Sequence, residues 1–91
     1  SGFNVYPNEI EAVVSTLDGV LQSAAVGVPD EKTGEAIKLF VVRTQATLSV
    51  EDVAAHCRAH LTAYKCPKYI EFRESLPMST VGKILRRELK S

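Results

Sequence analysis

The segment from Pro77 to Lys83 places one lysine on a loop that also contains a proline and a glycine. Pro77 stiffens the entry to this loop, Gly82 frees its backbone, and Ser79 and Thr80 offer hydroxyls that can cap a following helix. An ammonium beside the unpaired amides of a helix start attracts phosphate. Lys83 is therefore predicted to contact a phosphate, with Pro77 and Gly82 supporting its loop.

A phosphate-binding P-loop is excluded by two positions. That motif needs a glycine five residues before Gly82 and a serine or threonine directly after Lys83. The chain has Pro77 and Ile84 there. Since a Gly-Lys pair is common, an exposed lysine at a helix start remains the alternative on local features alone.

Two histidines, His56 and His60, are four residues apart on a predicted helix, a spacing that can bind zinc. Cys57 follows His56 where a metalloprotease helix has glutamate, so two solvent-facing histidines are the preferred interpretation and no metal site is predicted. No histidine can be argued to lie beside Cys66, which leaves a cysteine nucleophile unsupported. Two cysteines without a CxxC motif are typical of a reducing cytoplasm.

Length and composition describe one soluble globular domain with a modest core, too small for a complete two-substrate enzyme. The chain has 91 residues, of which 45% are hydrophobic and 24% charged. No apolar run approaches the roughly 20 residues that span a bilayer. Because no signal-peptide pattern and no initiator methionine appear, the sequence predicts an internal piece of a longer protein.

The formal net charge is zero but unevenly distributed. Residues 1–35 carry six acids against one base, a sum of −5, and residues 36–91 carry ten bases against five acids, a sum of +5. The C-terminal basic cluster comprises Lys83, Arg86, Arg87 and Lys90. A phosphate-bearing partner is predicted to bind the C-terminal part, and a solvated helix face is the alternative.

Hydrophobic spacing predicts the elements of the first half. Ile10, Val13, Val14 and Leu17 follow a helical period, which predicts a helix from Pro7 to Leu17. Residues 20–28 and 36–43 are rich in small and β-branched side chains and predict two antiparallel strands.

The second half adds a helix, a strand and a last helix. Ser49 and Asp52 resemble a capping box for a helix whose apolar face has Val50, Val53, Ala54, Cys57 and Leu61. Residues 68–73 alternate and predict a half-exposed strand. Val81, Ile84, Leu85 and Leu89 predict a final amphipathic helix. The predicted fold is a small two-layer α+β domain of order α-β-β-α-β-α, with a three-stranded sheet packed by helices.

Three blocks of sequence, residues 1–11, 63–68 and 77–89, resemble the C-terminal domain of the adenylate-forming superfamily of acyl-CoA synthetases, luciferases and peptide-synthetase adenylation domains. The blocks read SGFNVYPNEIE, AYKCPK and PMSTVGKILRREL. Their amino-acid sequences are most similar to those of bacterial long-chain fatty-acid CoA ligases. The resemblance covers essentially the whole chain and implies a C-terminal lid, with the N-terminal domain and hinge of the ligase absent from these residues.

The resemblance implies a two-step reaction with ATP, Mg²⁺ and CoA, in which the fragment alone is inactive. Lys83 matches the adenylation lysine, which bridges the fatty-acid carboxylate and the α-phosphate of ATP. After the domain rotates, Ser1, Gly2 and Phe3 line the pantetheine tunnel, where a glycine leaves room for the thiol arm. A simple turn at Gly2 is the alternative for that residue.

Further partners follow from the same resemblance. Lys65 and Lys68 are candidates for contact with CoA phosphates, and the N-terminal domain of the same polypeptide is the main partner. The pattern from Pro77 to Lys83 matches sites where a lysine acetyltransferase neutralises the adenylation lysine. The expected location is the cytoplasm, peripheral to the inner membrane in the full-length protein.

Two other functions compete with this interpretation. A free-standing interaction or nucleic-acid-binding module could use the C-terminal basic face, although the sequence pI of about 6.7 and the lack of a nucleic-acid motif argue against it. The second competing function is that of a C-terminal lid from a family member that does not use CoA. Glu9 and Glu11 are interpreted as helix-start and domain-contact residues, since neither has a paired carboxylate for acid–base catalysis.

Overall fold

The computed structural model describes residues 6–32 and 34–89. Its elements confirm the α+β class and the three-stranded sheet. In chain order they are α1 (Pro7–Val14), β1 (Val20–Asp30), β2 (Gly34–Arg43), α2 (Val50–His60), a 3₁₀ turn (Ala63–Lys65), β3 (Tyr69–Phe72) and a second 3₁₀ turn (Arg86–Leu89).

The sheet has the strand order β1-β2-β3 and is mixed. β1 and β2 pair antiparallel, as predicted, and the ladder runs from Val20 opposite Arg43 to Asp30 opposite Gly34. Gly34 has a φ of +83°, a conformation that glycine adopts without steric cost, and it starts the return strand. β3 pairs parallel to β2, with α2 in the connection between them. The longest strands thus lie side by side, and β2 is central.

Alternation along the strands buries both faces of the sheet. The first core lies under the two helices and includes Ile10, Val14, Ala25, Ile37, Leu39, Val41, Val53 and Cys57. The second core lies on the opposite face, where the C-terminal segment packs, and comprises Ala24, Val26, Phe40, Val42, Leu76 and Leu89. Two buried faces explain why residues 39–42 of β2 form an uninterrupted apolar run.

α1 is shorter than predicted, and the first residue of α2 is more exposed than predicted. α1 ends at Val14, three residues early, because the hydroxyls of Ser15 and Thr16 donate to the carbonyls of Ala12 and Val13 and compete with the helical pattern. In α2 the capping box between Ser49 and Asp52 is confirmed. Val50, predicted on the apolar face, is instead 41% exposed.

The predicted final helix is wrong. Residues 77–85 form a tight hairpin with an isolated bridge between Met78 and Ile84, followed only by the 3₁₀ turn. Gly82 has a φ of +84°, which interrupts a right-handed helix. Val81, counted as part of the apolar helix face, is 77% exposed, whereas Leu89 is buried. Ile84, on the hairpin, and Leu89, on the 3₁₀ turn, pack against the sheet without belonging to one helical face.

Candidate functional site

The hairpin of residues 77–85 presents Lys83 to solvent. At its narrow end the Ser79 amide donates to the Lys83 carbonyl at 2.8 Å, and the Gly82 amide donates to the Ser79 carbonyl at 3.0 Å. The Ser79 hydroxyl accepts from the Lys83 amide at 3.2 Å. The predicted helix-capping role of Ser79 is therefore replaced by a role inside the hairpin, and Lys83 lies beside a turn without an α-helix start.

The base of the hairpin is fixed to the body of the domain. The Leu85 amide donates to the Pro77 carbonyl at 2.9 Å, which closes the two arms. Leu76 and Leu89, on either side of the hairpin, are buried in the second core, and Ile84 packs against it. Pro77 and Gly82 both lie in this hairpin, Pro77 at its base and Gly82 at its turn with a φ of +84°. The result is an exposed cation on a short arm with a buried root.

Arg86, at the root of the hairpin, forms a two-pronged ion pair with Glu11 of α1. Its Nη2 donates to Glu11 Oε1 at 2.6 Å, and its Nε donates to Glu11 Oε2 at 3.2 Å. The same Oε2 accepts the backbone N–H of Ala25 on β1 at 2.8 Å. Arg86 is therefore tied to α1 by this ion pair, which weakens the prediction of a free basic face for phosphate or nucleic acid.

Sequence reasoning interpreted Glu11 as a helix-start and domain-contact residue and placed Arg86 in the C-terminal basic cluster, and so missed this pair. The available signal is spacing. Glu11 precedes the buried Val14 by three residues and Arg86 precedes the buried Leu89 by three residues. A charge that becomes buried beside an apolar face needs a partner, but this spacing does not say which residue that partner is.

Lys65 and Lys68 each pair with a carboxylate from an earlier element. Lys65 Nζ lies 2.9 Å from Glu9 Oε1, and this hydrogen bond raises the pKa of the lysine. Lys68 Nζ lies 2.8 Å from Asp30 Oδ1, and the bond to Asp30 raises the pKa of Lys68. Both lysines therefore remain cations with donors already oriented toward protein carboxylates.

The two histidines do not both face solvent. His56 is half-buried, and its Nε2 lies 3.0 Å from the Val13 carbonyl and 2.8 Å from the Thr16 hydroxyl, which joins α2 to the end of α1. His60 is exposed, with its ring centroid 4.6 Å from that of His56. Among residues 6–32 and 34–89 no group of three His, Cys, Asp or Glu side chains could hold a metal ion.

Cys57 is fully buried, as predicted, in the first core. Burial raises the pKa of the Cys57 thiol from 9.0 to about 11, the nearby Cys66 adds to the rise, and Arg58 opposes it. A thiol that stays protonated in the folded domain is a poor nucleophile. Cys57 is a core residue.

This buried thiol predicts a loss of stability at high pH. Unfolded Cys57 releases its proton near pH 9.0, whereas the folded thiol keeps it to about 11, so the free energy of unfolding falls as pH rises across that interval. Urea unfolding under reducing conditions at pH 8 and pH 10.5 measures the drop. In Cys57→Ala the drop should be smaller, and an equal drop in both proteins contradicts the assignment.

Comparison with known families adds a decisive observation. The model of the AMP-binding enzyme C-terminal domain matches residues 9–83, which include most of α1, the whole sheet and Lys83. The chain belongs to this family. The resemblance found in the three sequence blocks is confirmed.

Relatives of this AMP-binding enzyme C-terminal domain are much longer proteins. A long-chain-fatty-acid–CoA ligase from Yersinia pestis is 61% identical over 99% of the chain, which spans 16% of that ligase. A fatty acyl CoA synthetase structure from Mycobacterium tuberculosis superposes with a TM-score of 0.92 at 42% identity, over 98% of the chain and 18% of the synthetase. The apo MatB structure from Rhodopseudomonas palustris gives 0.92 at 39%, with the same coverages.

Two further observations complete the description of this AMP-binding enzyme C-terminal domain. The predicted tunnel residues Ser1, Gly2 and Phe3 lie outside the described residues. Within the described part of the chain, no helix is both long enough and apolar enough to cross a membrane.

Proposed function

We propose that this chain is the mobile C-terminal domain of an ATP-dependent long-chain fatty-acid CoA ligase and supplies Lys83 to the adenylation step. The observation that carries the proposal is the position of Lys83, exposed on a hairpin whose root is buried and closed by hydrogen bonds. The identity to long-chain-fatty-acid–CoA ligases over nearly the whole chain supports the reaction class.

Lys83 would act as a positioned charge. In adenylation the fatty-acid carboxylate attacks the α-phosphate of ATP, the bond to the bridging oxygen breaks, and pyrophosphate leaves. An ammonium between the carboxylate and the α-phosphate orients the in-line attack and stabilises the negative charge of the transition state. Lysine suits this task because it is a point charge on a flexible stem. A hairpin with a fixed base brings that charge to a repeatable place.

Mg²⁺ that accompanies a nucleotide is usually bound by the substrate phosphates, by waters and by one or two carboxylates. We propose that the ATP phosphates hold the Mg²⁺ in the full-length enzyme. No step proposed for this domain uses the metal.

The second step is thioester formation, in which the CoA thiol attacks the acyl carbonyl and AMP leaves. Ser1, Gly2 and Phe3 are proposed to line the pantetheine tunnel after the domain rotates. Lys65 and Lys68 are proposed to contact CoA phosphates. Each ammonium has three N–H donors, so the bond to Glu9 or Asp30 leaves donors for a phosphate.

Control of the enzyme is proposed to act on the same lysine. Acetylation of Lys83 would remove the charge that adenylation needs. The exposed position of the Lys83 side chain supports access by an acetyltransferase. A cytoplasmic enzyme, peripheral to the inner membrane, is the proposed setting for the full-length protein.

The test of this function is an assay of the full-length parent with saturated fatty acids of different chain length. We expect release of pyrophosphate that depends on added fatty acid. With CoA present, we expect formation of acyl-CoA from the long-chain fatty acids. Acid-dependent AMP formation without acyl-CoA would favour a ligase that uses another acceptor. Salt-dependent binding of DNA without any acid-dependent ATP turnover would contradict the proposal and favour the nucleic-acid alternative.

A further inference from the structure

The ion pair between Glu11 and Arg86 joins three parts of the domain at one point. Glu11 is on α1, which packs on one face of the sheet, and Arg86 follows the hairpin that packs on the other face. The N–H that Glu11 Oε2 accepts belongs to Ala25 on β1, an edge strand. The pair therefore spans the edge of the sheet and ties the two layers together.

The pair is built for geometry as well as charge. Two nitrogens of one guanidinium meet the two oxygens of one carboxylate, an arrangement that fixes both distance and orientation. The Glu11 side chain is only 17% exposed and that of Arg86 is 37% exposed. The Ala25 N–H donates a third hydrogen bond to the Glu11 carboxylate and so restrains it from the side of β1. Such a contact restrains Arg86 far more closely than a surface ion pair does.

Arg86 lies only three residues after Lys83 and directly after Leu85, which closes the hairpin through the Pro77 carbonyl. The other arm begins next to the buried Leu76. The hairpin is therefore clamped by apolar contacts on one arm and by the ion pair on the other. A shift of Arg86 would turn the arm that ends in Lys83.

We infer that Glu11 and Arg86 are positioning residues for Lys83: their ion pair fixes the root of the hairpin so that the ammonium reaches the adenylation site in one orientation. This inference rests on the proposed adenylation role of Lys83. Neither residue is required to touch a substrate. Their effect should therefore fall on the adenylation rate, while thioester formation, which uses another face of the domain, should change little.

The experiment measures the two half-reactions separately in the full-length parent. Arg86→Gln and Glu11→Gln should each slow acid-dependent ATP–pyrophosphate exchange about 10-fold at saturating substrates, with KM for ATP unchanged, because a misplacement of about 1 Å can cost up to 100-fold. The rate of thioester formation from supplied acyl adenylate should change less than twofold. Arg86→Lys, which keeps the charge but lacks the fork, should recover part of the loss.

A matched control and a second readout separate positioning from general damage. Arg58→Gln removes an exposed arginine from α2 and should leave both half-reactions unchanged. Hydrogen exchange of the Gly82, Lys83 and Leu85 amides in the full-length parent should accelerate in Glu11→Gln and in Arg86→Gln, and stay as it is in Arg58→Gln. Faster exchange together with slower adenylation supports the inference.

Four results would overturn it. Equal loss in both half-reactions indicates a purely structural role, and a change in only one of the two readouts, exchange or adenylation, breaks the link between the pair and Lys83. Lys83→Ala, measured in the same series, shows whether only this inference fails or the proposed role of Lys83 fails as well. If Lys83→Ala slows adenylation and the pair variants do not, only this inference fails. If Lys83→Ala has no effect on adenylation, the proposed role of Lys83 fails as well.

Discussion

Lys83→Ala in the full-length parent is expected to slow acyl-adenylate formation by about 10² to 10³-fold, the usual cost of removing one preorganised group that stabilises charge in a transition state. The substitution removes an exposed side chain, so the fold should be kept. Thioester formation from supplied acyl adenylate should proceed at close to the original rate, because the role proposed for the ammonium is confined to adenylation. Rapid-quench measurement of each half-reaction gives both numbers.

Two companion variants define what the ammonium contributes. Lys83→Gln is neutral, as acetyl-lysine is, and should be as slow as Lys83→Ala. Lys83→Arg keeps the charge on a planar head and should be faster than both, yet slower than the parent. A Lys83→Gln enzyme that adenylates at the parental rate would show that the charge is dispensable and would remove the proposed control by acetylation.

Leu39→Ala is expected to lower the free energy of unfolding of the 91-residue chain by about 2 to 5 kcal/mol, through lost burial and the cavity left behind. Leu39 is fully buried on the central strand β2 and belongs to the first core. A domain of this size is stable by roughly 5 to 14 kcal/mol, so the loss is a large fraction of the total. Urea unfolding followed by circular dichroism measures it.

Leu21→Ala is the matched control for Leu39→Ala. Leu21 is also a strand leucine, but it is 65% exposed on β1. Its replacement should change the free energy of unfolding by no more than about 0.5 kcal/mol. Similar losses in the two variants would contradict the assignment of β2 as the buried centre of the sheet.

The elements governed by local spacing were predictable from sequence. The two long strands and their antiparallel pairing follow from apolar runs around a short turn that contains Gly34. The capping box at Ser49 follows from a hydroxyl and a carboxylate three residues apart. The parallel pairing of β3 with β2 did not follow, because an alternating strand of four residues does not specify its neighbour.

The last segment shows where periodicity fails. Ile84 and Leu89 are spaced like helix residues but pack on the second face of the sheet from a hairpin and a 3₁₀ turn. The positive φ of Gly82 and the hydroxyl of Ser79 favour the hairpin over the helix. Lys83 could still be predicted as the adenylation lysine, since that prediction comes from its sequence block and does not depend on the structure that presents it; its role stays a proposal. The partner of Arg86 could not, because Glu11 is 75 residues away.

The contact between Glu11 and Ala25 also affects how copies of this domain meet one another. β1 is an edge strand, and open N–H groups on an edge invite a strand of another molecule to pair. The Glu11 carboxylate occupies the Ala25 N–H near the middle of β1, and Arg86 lies against the same carboxylate. An incoming strand would have to displace this ion pair before it could form a continuous ladder. The charge pair thus blocks backbone pairing with another strand at this point of β1.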